Sequence, residues 1–201
     1  MTETKKRQER GKKRIAQILD AAGEVFANVG YEAATTNAIA AHAGMSPGSL
    51  YQFFPNKEAI AETLAERYAE AMKATHGTAL DPSLAKLPLD EMVDRIVDPL
   101  VELSLANPGA KALLSGSDLS PKLAASTQAL HCFVVESVEG LIAARVPSMS
   151  KRERSRTAEV SVQIFKAILP MVLSAGRSER AAVVRELKSA LRGYLESIEK
   201  S

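Results

Sequence analysis

Residues 35 to 60, TTNAIAAHAGMSPGSLYQFFPNKEAI, gather the side chains best suited to chemistry at a surface. Asn37, Ser49 and Gln52 carry hydroxyl or amide groups that can hydrogen-bond to base edges, and Tyr51 and Phe53 add aromatic rings. That chemistry is recognition. Two short helices, a tight turn and the start of a third helix fit this stretch. It has the size and punctuation of a helix-turn-helix, which lays one helix in the DNA major groove. Covalent chemistry has less to work with. The sequence holds no Gly-x-Gly-x-x-Gly and no Gly-x-x-x-x-Gly-Lys phosphate loop. His42, His76 and His131 fall on three separate elements without a His-x3-His pair. Cys132 stands beside His131 with no second thiol. No metal or cofactor is expected. Acidic pairs such as Asp90–Glu91 and Glu136/Glu139 read as solvated helix faces. The chain is read as a binding protein and not an enzyme.

The elements that must position these groups are helical. Apolar residues recur every three or four positions, and no sustained alternation bounded by hairpin turns is present, so the fold class is all-α. A first helix is expected from about Lys12 to Val29. Its apolar stripe is Ile15, Ile18, Leu19, Ala22, Val25, Phe26 and Val29, and Gly30 caps it. Thr35 caps a second helix that ends at Ala43, with Gly44 free for a left-handed cap. Ser46 caps a third, with Pro47 at its first position and Pro55 ending it near Phe53 or Phe54. Asn56 caps a fourth, about Lys57 to Thr75. Beyond Gly77, Pro82 and Pro88, helices are expected near 88–106, 108–115, 121–146, 150–176 and 178–198, with Pro99 and Pro170 kinking or splitting two of them.

Charge is uneven. Residues 1 to 14 carry seven Lys/Arg against Glu3 and Glu9, on a chain whose net charge is only +2. A basic, flexible arm over 1–11 suits phosphate. Between Ala33 and Asn56 there is no Lys or Arg, so the reading helix lacks a bidentate arginine for guanine. Discrimination then falls to Asn37, Ser49, Gln52, apolar contacts and DNA shape, while attraction falls to the arm and Lys57. With one cysteine, no secretory signal and no membrane span in the uncharged stretch Ala33–Asn56, the protein is read as soluble and cytoplasmic, with no membrane partner.

Thr35-Thr36, Ile39-Ala40, Ala43-Gly44, Ser46, Leu50-Tyr51, Phe54 and Asn56-Lys57-Glu58, together with the apolar first helix, resemble the tetracycline-repressor (TetR) family of bacterial transcription regulators over about residues 12 to 65. The resemblance implies a DNA-binding domain over 12–57, a connecting helix over 58–76 and a ligand-binding and dimerisation domain over 77–201. It further implies that Thr36, Ser46, Tyr51 and Lys57 contact phosphates while Asn37, Pro47, Gly48, Ser49 and Phe53 lie near base edges. Phe53 stands where relatives often have His or Tyr and could offer only apolar contact.

In the larger domain, Met92, Ile96, Leu100, Leu103, Phe133, Phe165, Ile168 and Met171 are candidates to surround a ligand; a solid core is the competing reading. Val160, Ile164, Val172, Val184, Leu187, Leu191 and Tyr194 on the last two helices are expected to build a four-helix homodimer interface. The expected function is a repressor released from a palindromic operator by a hydrophobic or amphipathic ligand. The alternatives are a DNA-organising protein of the same fold without a ligand, and a small-molecule or protein-interaction module that no longer binds DNA.

Overall fold

The computed structural model describes residues 3–107, 109 and 121–199. Among them every regular element is helical: α1 (Glu3–Ala33), α2 (Thr36–His42), α3 (Pro47–Tyr51), α4 (Lys57–Ala79), a 3-10 turn (Pro82–Lys86), α5 (Leu89–Ala106), α6 (Pro121–Arg145), α7 (Lys151–Ser174) and α8 (Arg177–Glu199). The helix expected at 108–115 lies outside the described residues, Gly109 apart.

The first helix differs from the expectation. The flexible arm is absent: α1 is helical from Glu3, because Lys, Arg, Gln and Glu are good helix formers and only Gly11 interrupts them. Its far end obeys the glycine. Gly30 takes φ 78°, a left-handed value that breaks the helix before a last turn to Ala33. Of the apolar stripe, Ile18, Leu19, Ala22, Val25 and Phe26 are buried, while Ile15 and Val29 lie on the surface at 36% and 54% exposure.

The described residues form two compact units. One holds those up to Ala69 and those between Asn107 and Thr127; the other holds Glu70–Ala106 and those from Gln128 onward. The division falls inside α4, between Ala69 and Glu70. The core of the first unit is Ile18, Phe26, Ile39, Leu50 and Ile60, all fully buried, with Leu64 and Tyr68 behind them. The long helix α1 supplies Ile18 and Phe26, and the short helices α2 and α3 supply one large side chain each.

The second unit has two apolar clusters, one on each side of α5. Val93, Val97 and Val101 meet Leu169 and Val172 of α7 and Leu187 and Leu191 of α8. Met92 meets Leu80, Ala85 and Leu141, with Ile96 and Val138 against them. Lys188 locks α8 to α5, its ammonium 3.0 Å from Asp94 and 2.7 Å from Asp98. Burial opposes that charge, but the two carboxylates outweigh it and raise the pKa. Arg145 ties the end of α6 to the 3-10 turn by donating to the carbonyls of Ala85 and Leu87. Pro99 and Pro170 neither end nor split α5 and α7. The carbonyls their missing N–H groups leave free, on Arg95 and Lys166, belong to exposed residues that water can reach. An 18-residue window of α7 reaches a mean hydropathy of 1.3, which by length and composition could cross a membrane. The helix contributes Ala158, Leu169 and Val172 to the interior, as a core helix does.

Candidate nucleic-acid interface

Local capping builds the interface. Thr35 accepts from the Ala38 amide at 3.1 Å and starts α2. The helix closes with the Gly44 amide donating to Ala41 at 3.1 Å and the Met45 amide to Ala40 at 3.0 Å, around Gly44 at φ 63°. This paired C-terminal closure turns the chain sharply. Ser46 then accepts from the Ser49 amide at 3.2 Å, with Pro47 at the first helical position of α3. On the inner face, Leu50 is fully buried and Phe54 nearly so. Gln17 of α1 donates to the Ala43 carbonyl at 2.7 Å and pins the turn to the first helix.

The outer face holds what the sequence placed there. Asn37, Ser46, Pro47, Gly48, Tyr51 and Gln52 are exposed; Thr36, Ser49 and Phe53 are half-buried. Phe53 therefore projects less than expected, because a turn at Gln52 and Phe53 follows α3 and folds the ring partly back. Two polar bridges pre-set this face. Thr36 Oγ1 and Tyr51 Oη lie 2.9 Å apart and join α2 to α3; Ser46 Oγ and Ser49 Oγ lie 2.9 Å apart within the turn. Each pair uses one of its two hydroxyl protons internally and leaves the other for an outside acceptor.

Lys57 departs from its expected role. It is half-buried, and its ammonium donates to the Tyr31 carbonyl at 2.7 Å and the Glu32 carbonyl at 3.1 Å. It also sits 4.4 Å from the centre of the Tyr31 ring. Burial, then Glu58, Glu32 and Glu62, raise the Tyr31 pKa, so that ring stays neutral. Lys57 caps the end of α1 rather than standing free for phosphate. No spacing rule signals this, since the carbonyls lie about 25 residues away in sequence. His42 likewise has a partner, Glu24 Oε2 at 2.6 Å. Exposed cations line α1 instead: Lys6, Arg7, Arg10, Lys12, Lys13 and Arg14 follow one another along a continuous helix.

Gly44-Met45-Ser46-Pro47-Gly48 has the Gly-x-Ser-x-Gly spacing of a hydrolase nucleophile elbow. The context is wrong for one. An elbow joins a strand to a helix, whereas Ser46 joins two helices and spends its oxygen on the Ser49 amide.

Residues 18–64 match the family described as bacterial regulatory proteins, tetR family, and residues 88–195 match the tetracyclin repressor-like C-terminal domain. The chain belongs to the TetR family of transcriptional regulators. It is similar to the regulator UidR of Escherichia coli K12, at 26% identity over 78% of this chain and 74% of that one. A second relative is the Bacillus subtilis regulator YhgD, at 34% identity over 85 residues; the match takes in 42% of this chain and 43% of that one. A TetR-like regulator from Rhodococcus sp. RHA1 shares the fold with a TM-score of 0.72 at 22% identity, over 92% of this chain and 96% of that one. This TetR-family protein is a DNA-binding regulator and not an enzyme.

The remaining candidate residues lie in the second unit. Met92 and Leu100 are buried, and Ile96, Leu103, Phe133, Phe165 and Ile168 are half-buried. Met92 and Ile96 face the Leu80–Leu141 cluster, whereas Phe165 and Ile168 pack on the Val97–Leu187 cluster across α5. Met171 is 58% exposed, because α7 turns its neighbours Leu169 and Val172 inward. In the interface set, Val172, Leu187 and Leu191 are buried within the protomer. Val160, Ile164, Val184 and Tyr194 are half-buried on α7 and α8.

Proposed function

We propose that this regulator represses transcription as a cytoplasmic homodimer bound to a palindromic operator, and that a small hydrophobic or amphipathic ligand releases it. The observation that carries the DNA reading is the pre-set face of Thr36–Tyr51 and Ser46–Ser49 over buried Leu50. Four hydroxyls held in place, each pair with a proton to spare, suit phosphate oxygens and base edges. Asn37, Pro47, Gly48, Gln52 and the open edge of Phe53 complete that surface. The exposed cations of α1 supply the attraction that α3 lacks.

Half-buried Val160, Ile164, Val184 and Tyr194 support a two-fold pairing of α7 and α8. Such a dimer places the two α3 helices in successive major grooves, with half-sites about 34–36 Å apart. The test is fluorescence anisotropy with DNA from upstream of the chain's own gene, followed by a base-substitution scan. Symmetric protection of two half-sites is expected. A pattern dominated by arginine–guanine contacts in the major groove would overturn the reading.

A further inference from the structure

His76 of α4 lies in the second unit at 3% exposure, and neither Nδ1 nor Nε2 has a hydrogen-bond partner among the described residues. A neutral imidazole carries one donor and one acceptor, and native interiors leave few such groups unmet. Burial pushes the His76 pKa down to about 4, so the ring is neutral at pH 7. Phe133 of α6 meets it edge-on, with ring centres 6.5 Å apart at 85°.

Among the described residues the surroundings of the imidazole are apolar. One turn along α4, Leu80 joins the cluster with Met92 and Leu141, and that layer is filled. Four residues before Leu80 on α4, His76 meets Phe133 of α6, so the two rings lie beyond that cluster. The close helix packing of the unit lies among α5, α7 and α8. Phe133, Val134 and Val135 of α6 stay half-buried.

We propose that His76 is the polar anchor of a small-molecule site between α4 and α6, which takes an apolar body carrying one hydroxyl or carboxyl head group. This deepens, and rests on, the ligand-responsive reading above. The imidazole N–H donates to the head-group oxygen, and its second nitrogen accepts a hydroxyl proton when one is present. The apolar body lies along Phe133. A quaternary ammonium head group has no proton to give and no lone pair to offer, so it is rejected.

The experiment uses the full chain and three probes of equal tail length: dodecanoate, dodecan-1-ol and dodecyltrimethylammonium. Calorimetry reads binding, and anisotropy with operator DNA reads release. His76→Phe keeps a buried ring and removes both nitrogens. The variant is expected to bind operator as the wild type does and to lose roughly tenfold or more in affinity for the first two probes. Dodecanoate should also shift the His76 ring resonances of the wild-type protein. Equal affinity in wild type and variant, preference for the quaternary ammonium, or no binding of dodecanoate and dodecan-1-ol by the wild type each overturns the proposal. If the variant fails to fold, unmoved His76 resonances in the wild type at saturating dodecanoate overturn it instead. Failure of the wild type to bind operator counts against the regulator reading alone, because calorimetry reads the anchor separately.

Discussion

Lys57 shows how one side chain can carry a role its position in the sequence does not announce. A lysine opening α4 beside the reading helix looks like a phosphate ligand, yet two of its three protons cap carbonyls of the α1 end. Lys57→Met should therefore lower thermal stability by about 1–3 kcal/mol, since it removes two charge-assisted bonds. The salt dependence of DNA binding should stay the same; a flatter slope with unchanged stability would return Lys57 to the phosphates. His76 gives the second residue-scale prediction. Its pKa is about 4 in the folded chain against 6.5 ordinarily, so between those values the unfolded chain binds the extra proton. Stability is then complete above about pH 6.5 and falls as pH drops towards 4, by up to about 3 kcal/mol. Chemical denaturation at pH 7 and pH 5 checks this, and His76→Phe should flatten the difference.

At the scale of elements, α1 carries the basic residues and the apolar stripe on one helix. Its basic residues lie on the same rigid helix whose later turns bury Ile18 and Phe26. Replacing Lys6, Arg7, Arg10 and Lys12 by Gln should flatten the plot of log affinity against log salt, by about 0.9 for each phosphate that α1 no longer neutralises. The preferred operator should not change, because the proposed reading face lies on α2 and α3. An unchanged slope would mean that α1 does not touch DNA. The start of α7 rests on a reciprocal cap: Ser150 accepts from the Glu153 amide, and Glu153 accepts from the Ser150 amide at 3.1 Å. The Ser150 hydroxyl, donating to Glu153 Oε2 at 2.6 Å, and then the Ser150 amide hold the Glu153 carboxyl below its usual pKa. Ser150→Ala should cost about 1 kcal/mol in thermal unfolding.

For the whole molecule, the cluster of α5, α7 and α8 bears on stability, while the half-buried faces of α7 and α8 bear on the proposed pairing. Leu187 is fully buried within the protomer, so Leu187→Ala should cost about 2–5 kcal/mol. Val160 and Tyr194 are half-buried on the faces proposed to pair. Val160→Asp with Tyr194→Asp should leave the helical content unchanged and yield a monomer by analytical ultracentrifugation at micromolar concentration. A double variant that stays dimeric would place the interface elsewhere.

Much of this regulator was legible because its signals are local. Thr35, Gly44, Ser46, Pro47 and Asn56 act on backbone groups within four residues, so caps and turns follow from neighbours in sequence. Leu50 and Phe54 stand four residues apart on one side of the chain, and both are buried. The same logic gave the all-α class and the reading face. What it could not give depends on which elements meet. The capping of α1 by Lys57, the assignment of Leu187 and Leu191 to the protomer core, the outward turn of Met171 and the unanswered imidazole of His76 all arise between segments far apart in the chain. A periodic apolar stripe says that a helix has a buried side. Only the tertiary structure decides whether its own chain, a second copy or a ligand covers that side, because each removes the same apolar surface from water.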